Sequence, residues 1–357
     1  MSGSRSLSTL LRRGVEADAY VGAAAAVGDA DGGLAVDCVG FEDERGGDPV
    51  TRETRFDVAS LTKPVVTTTV CARLLERDTV QLWAPLAEYV PPLEGTARGE
   101  IPLRDLLCHT SGLPPYKSFP FGWESPEALR ESLYTSHLGL LADPGEWFVY
   151  SDLNFVHLAD ALARAAGESL SSLASAHVFD PLGMERASLG PLEATSDVAA
   201  TRDHRWRNER LRGEIHDYIG AVLGAESGNA GLFATIEDLT PVARMLLGDG
   251  ALDGSRVLSA STVRRLTSNQ TPDADRPHGL GWRLPHDGSP SGPWSERSFG
   301  HTGFTGTSIW IDPDAGRFAI LLTNHLLTGE SSTELSNVRA KFHAAVADGG
   351  DELLSND

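Results

Sequence analysis

Two hairpin patterns lie near opposite ends of this 357-residue chain, so a sheet built from both must close across everything between them. Residues 20–27 (YVGAAAAV) and 34–40 (LAVDCVG) are short apolar runs on either side of Gly28-Asp-Ala-Asp-Gly-Gly, which reads as a tight turn. Residues 307–311 (TSIWI) and 317–323 (RFAILLT) bracket Asp312-Pro-Asp-Ala-Gly in the same way, and residues 279–284 (GLGWRL) read as a further strand. Beyond Ser332, the recurrence of Leu335, Val338, Phe342 and Val346 at intervals of three and four predicts an amphipathic helix. Between the ends the pattern turns helical, with one stripe through Val66, Val70 and Leu74 and another through Val156, Ala159 and Ala163. Thr67, Thr68 and Thr69 are poor helix formers, so the first of these helices needs burial to hold it. The expected fold is α+β. An antiparallel sheet flanked by helices takes residues 1–60 and 270–357 from both termini, with a mostly helical domain, 61–269, inserted between them.

Composition narrows the function classes. With 41% hydrophobic residues there is ample material for a core. Thirty basic residues stand against 50 acidic ones, a formal net charge of −20 that repels phosphate backbones, so nucleic acid is not an expected partner. The basic residues are nearly all arginine, a skew that fits either a salt-adapted or a GC-rich genome. Cys38, Cys71 and Cys108 form no C-x-x-C pair, which argues against zinc and against a disulfide framework. No metal or other cofactor is expected. Without a signal-peptide pattern or a membrane-length apolar run, the expected address is the cytoplasm.

Three short segments carry chemistry. In Ser60-Leu-Thr-Lys63, a helix starting near Ser60 would put both side chains on one face, where a lysine of lowered pKa can take the serine proton. An N-cap serine followed by a solvated lysine would look the same. Tyr150-Ser-Asp152, with Asn154 just beyond, runs from a Pro-Gly loop into an apolar helix. A phenol near cations can shuttle protons there, although a tyrosine that merely packs its ring beside an N-cap is equally compatible. His301-Thr-Gly303-Phe-Thr-Gly306 precedes the late hairpin. Its glycines would let a substrate lie against a strand, and a backbone N–H beside them can complete an oxyanion hole with that of Ser60. A glycine-rich strand entry with a satisfied histidine is the plain alternative.

Taken in order, S-x-x-K, Y-x-[N/D] and [K/H]-T-G resemble the signature of the active-site serine penicillin-recognising proteins, in which the third motif commonly reads K-T-G. The chain is similar to the branch that holds class C β-lactamases, DD-peptidases and related esterases. Residues 56–64 (FDVASLTKP), 106–114 (LLCHTSGLP), 144–152 (PGEWFVYSD) and 228–234 (GNAGLFA) carry the likeness, which runs from about residue 10 to 345. It implies the β-lactamase/transpeptidase-like fold, with the site in the cleft between sheet and helices. It further implies Ser60 as nucleophile, Lys63 as its activating base, Tyr150 as proton shuttle and His301 in the third-motif position. Asp152, Asn154, Gly303 and Phe304 would face the substrate, and the N–H groups of Ser60 and Phe304 would form the oxyanion hole.

Two departures bear on the substrate, which is expected to be a small acyl compound. Histidine replaces the usual lysine of the third motif, so the permanent cation that suits a substrate carboxylate is missing there. Asp152 stands where asparagine is common; ionised, it cannot donate to a substrate carbonyl and can instead pair with Lys63, making that lysine a poorer base. Both changes favour an esterase of small carboxylic esters over a β-lactamase or a D-amino-acid or DD-peptidase. A non-catalytic ligand-binding module of the same fold is the rival from another class. Trp123, Trp147, Trp282 and Trp294 are placed to line the cleft or, by default, the core.

Overall fold

The computed structural model describes residues 6–354 apart from 45, 116–121, 123–124, 136–138, 194–195, 287–288, 290–292 and 330–332. Trp123 and Ser332 therefore lie outside the described residues. Five strands form the main sheet: β1 (Gly22–Asp29), β2 (Leu34–Gly40), β3 (Phe299–Thr302), β4 (Ser308–Asp312) and β5 (Arg317–Thr323). Their spatial order is β3-β4-β5-β1-β2 and every neighbouring pair is antiparallel. Ala25 of β1 stands opposite Leu321 of β5 on one side and Asp37 of β2 on the other. Both expected hairpins are present, and the two ends of the chain meet in one sheet.

Five helices cover this sheet or border the site: α1 (Leu7–Glu16), α2 (Thr69–Leu75), α3 (Asp152–Ala166), α4 (Ile236–Leu247) and α5 (Thr333–Leu354). Successive residues of β1 point to opposite faces, and each face is covered. Ala23, Ala25 and Val27 pack with Leu7 and Leu11 of α1 and with Leu335, Phe342 and Val346 of α5. Ala24 and Ala26 belong to the larger core on the other side, with Ile236, Leu239 and Val242 of α4. Two-sided burial is why β1 reads as an unbroken run of small apolar residues instead of an alternation. The tail helix follows the expected stripe.

The segment that carries Ser60 is less regular than a helix starting there would be. A 3-10 turn, Ala59–Leu61, leads into a π-helical stretch, Lys63–Thr68, and only then into α2. Residues 63–68 are all buried. The hydroxyl of Thr69 donates to the carbonyl of Pro64 at 3.2 Å, five residues back, as the widened helix allows. Burial, and not propensity, holds this segment, as its threonines suggest.

Residues 279–284 are not a strand. Arg283 alone pairs with Gly300 of β3, exchanging backbone hydrogen bonds of 2.9 and 3.0 Å. Gly281 serves close approach instead: φ is +77° there and an added Cβ would lie 2.0 Å from Thr68 Oγ1. The backbone bends there to pass the π-helical stretch.

Candidate active site

Ser60 faces a cavity of about 530 Å³ whose walls include Trp206, Tyr218, Phe304, Leu326, Arg283 and Arg339. Lys63, one helical turn on, is fully buried, and its Nζ donates to Ser60 Oγ at 2.8 Å and to the carbonyl of Asn229 at 2.9 Å. Asp152 Oδ1 lies 2.6 Å from the same nitrogen. Burial pulls the Lys63 pKa down, but Asp152, by charge and hydrogen bond, together with Tyr150 and Asp217 outweighs it and holds the ammonium form above the ordinary lysine value. The alternative seen in the sequence for Asp152, pairing with Lys63, is the arrangement found.

Tyr150 lies on the path into α3, with Lys63 Nζ 5.3 Å and the Arg283 guanidinium 5.1 Å from its ring centroid. His109 stacks on it at 4.3 Å. The His109 Nδ1 accepts the Ser151 N–H at 3.2 Å and the Asn154 side-chain amide at 2.9 Å, so this ring is neutral with its proton on Nε2. Burial, followed by the charges of its neighbours, keeps its pKa well below the ordinary histidine value.

Asn154 does not face the substrate cavity. It is fully buried, bonded to His109 and to the Ser111 hydroxyl. The cause is helical geometry: residues two apart do not share a helix face, so when Asp152 turns to Lys63, Asn154 turns into the protein. It positions the wall behind Tyr150.

The third motif divides in two. Thr302, Gly303 and Phe304 line the cavity, whereas His301 on β3 is 1% exposed and is not among its lining residues. Its Nδ1 lies 2.9 Å from the carbonyl of Thr302, which can only accept, so Nδ1 carries the proton. Burial first, then the charges of Arg283 and Lys63, hold its pKa well below the ordinary value, and the ring is uncharged at neutral pH. Gly303 is required by contact: a Cβ there would lie 2.1 Å from Thr307 Oγ1 and 2.5 Å from the Val58 carbonyl. Phe304, 46% exposed, presents its ring beside His216 at 5.4 Å.

The cavity also holds groups that the motifs do not announce. Arg283 donates to the Thr302 hydroxyl at 3.0 Å, and Arg339 of α5 approaches the carbonyls of Gly303 and Thr307 at 3.4 Å. The Nε of each is buried with no acceptor among the described residues. Burial and then the Arg283 charge lower the Arg339 pKa to about 10. Asp217 caps a short helix, Tyr218–Leu223, and accepts the Asn229 amide at 3.0 Å; burial and the Asp152 charge raise its pKa. Of the tryptophans, Trp282 and Trp294 are core residues, while Trp147 is 60% exposed and lines a separate chamber of about 740 Å³ that shares Tyr150 as a wall. Trp206, at 44% exposure, is the indole in the Ser60 cavity. Among the described residues no group of side chains has the make-up of a metal site, and no helix is long and apolar enough to cross a membrane.

Residues 7–343 match the protein family described as Beta-lactamase. An uncharacterized protein of Mycobacterium tuberculosis (strain CDC 1551 / Oshkosh) is 31% identical over 342 residues, covering 82% of each chain. A putative D-alanyl-D-alanine carboxypeptidase of Escherichia coli (strain K12) is 28% identical over 309 residues, or 77% of this chain and 70% of the relative. Among solved structures, EstCE1, described as a hydrolase with promiscuous acyltransferase activity, superposes with a TM-score of 0.73 at 21% identity, covering 93% of this chain and 97% of that one.

Proposed function

The chain belongs to the β-lactamase family, as a serine hydrolase of that fold, and from that premise we propose that it hydrolyses small carboxylic esters through an acyl-enzyme on Ser60. Ser60 Oγ attacks the ester carbonyl carbon. Lys63, held as an ammonium by the Asp152 carboxylate 2.6 Å away, serves as a donor to Oγ and not as the base. The Ser60 proton is therefore relayed through the Tyr150 hydroxyl, whose ring has the Lys63 and Arg283 cations 5.3 and 5.1 Å from its centroid. The N–H groups of Ser60 and Phe304 take the charge that develops on the carbonyl oxygen. Tyr150 then returns the proton to the departing alkoxide as the C–O bond breaks. Water repeats the sequence in reverse, releasing the acid and Ser60.

The observation that supports an ester is the cavity itself. It has aromatic walls from Trp206, Tyr218 and Phe304, and its third motif contributes a buried, uncharged histidine. A specific observation favours a second reading. Arg283 and Arg339 bring two cations to the same wall from outside the motifs, which would suit the carboxylate of a peptide terminus or a β-lactam.

Parallel rates on p-nitrophenyl acetate and butyrate, nitrocefin and a D-Ala-D-Ala peptide, with Ser60→Ala as control, separate the two. Ester turnover lost in the variant, with little nitrocefin or peptide cleavage, is the expected result. Efficient cleavage of either carboxylate-bearing substrate would establish the second reading. Silence on all substrates would leave a ligand-binding module.

A further inference from the structure

Asp57 lies three residues before Ser60 and is 4% exposed. One carboxylate oxygen accepts the N–H of Ala59 at 2.8 Å; the other accepts the N–H of His216 at 2.9 Å. Its own carbonyl accepts the Thr305 hydroxyl at 2.7 Å, and the Val58 carbonyl accepts the Thr307 hydroxyl at 3.0 Å. Ala59, the residue immediately before the nucleophile, has φ +48°, a conformation that a residue with a Cβ seldom adopts. The Asp57–Ala59 bond closes over that strained turn. Through His216 the same side chain reaches the segment carrying Asp217, and from Asp217 bonds continue through Asn229 to Lys63.

The place calls for an acceptor on both oxygens, because both neighbours are N–H donors. An ionised carboxylate meets that demand; an asparagine amide would turn its NH2 towards one of the donors. We propose that Asp57 is a positioning residue whose ionised carboxylate sets the Ala59 turn and so aims Ser60 Oγ into the site. The inference rests on the proposed role of Ser60 as the nucleophile. Burial raises the Asp57 pKa to about 6, so its acceptor pair is sensitive to mild acid. The charged and titratable groups around it are His216 and Asp217 on one side and Arg207 from the turn after strand Thr201–Asp203; the Thr305–Thr307 turn contributes hydroxyls.

The test is the rate of Ser60 acylation by a fluorophosphonate between pH 5 and 8, in the wild type, Asp57→Asn and Ser60→Ala, with circular dichroism on each. Asp57→Asn is expected to keep the wild-type spectrum, to acylate about 10- to 100-fold more slowly as a misaimed nucleophile does, and to flatten the decline that the wild type shows below pH 6. A folded Asp57→Asn within about twofold of wild type, or one that keeps the same acid limb, would overturn the inference. Should that variant fail to fold, the wild type decides: acylation falling through pH 6 with an unchanged spectrum supports the role, and a flat rate from pH 7 to 5 refutes it. Labelling that survives Ser60→Ala would remove the nucleophile reading and this inference together, whereas labelling lost only in Ser60→Ala removes this inference alone.

Discussion

An ammonium carries three N–H bonds, and Lys63 meets three acceptors in Ser60, Asn229 and Asp152. A neutral amine could accept the Ser60 hydroxyl, but the Asp152 carboxylate 2.6 Å away favours the charged form. Replacing Asp152→Asn leaves a buried charge short of its partner, with an expected loss of about 2–4 kcal/mol of folding stability, read by chemical denaturation, and slower acylation. Unchanged stability would mean that two acceptors suffice. Asp57 runs the other way. Its pKa of about 6 stands above the ordinary 3.8, so between those values the folded chain binds a proton that the unfolded chain does not. Stability therefore falls as pH rises through that window, by an amount on the order of 3 kcal/mol. At neutral pH the ionised Asp57 lowers stability while holding the Ala59 turn. Ser60, Lys63 and Tyr150 were legible only because three motifs stand in order, since S-x-x-K or Y-x-D alone fits an N-cap or a packed ring equally well. The charge on Lys63 was not, since it depends on residues 152 and 229.

At the scale of elements, apolar pattern was a sound guide where both partners were local and a poor one where the partner was distant. The hairpins of β1–β2 and β4–β5 are closed by their own turns, and each appears where its pattern puts it. Residues 279–284 have strand-like composition, yet Gly281 is there to clear Thr68, more than 200 residues away in sequence. An alanine at 281 must hold φ +77° and displace Thr68. Gly281→Ala is therefore expected to cost about 2–4 kcal/mol, seen as a lowered thermal midpoint, and to slow ester turnover by moving Arg283. A neutral result would show that the π-helical stretch yields to the new methyl group.

Over the whole molecule, burial sets the response to acid. Among the described residues, burial is the leading cause of a lowered pKa at eight histidines: His157 and His216 to about 4, His278 and His343 to about 3, His109 and His301 well below the ordinary value, and His177 and His325 below it. Each stays neutral when folded but binds a proton on unfolding once the pH drops below about 6.5. The stability these groups permit is thus complete above that pH and is lost as pH falls towards 4. Asp57 opposes them, as does the relief of a net charge of −20, but the eight histidines are expected to outweigh these. The urea midpoint is expected to be lower at pH 4.5 than at pH 7, and an equal or higher midpoint would contradict the assignment of neutral buried rings. The sequence by itself pointed to the sheet made from both ends, because turn chemistry acts within a few residues, and to Ser60 as candidate nucleophile, through the likeness that three motifs carry in order. Only the tertiary structure decided that Lys63 is charged, that Asn154 and His301 turn away from the cavity, and that Arg283 and Arg339 bring cations to it beside Arg205. Those outcomes come from burial and from partners that folding brings together, as when residue 339 of the last helix comes to stand beside Gly303.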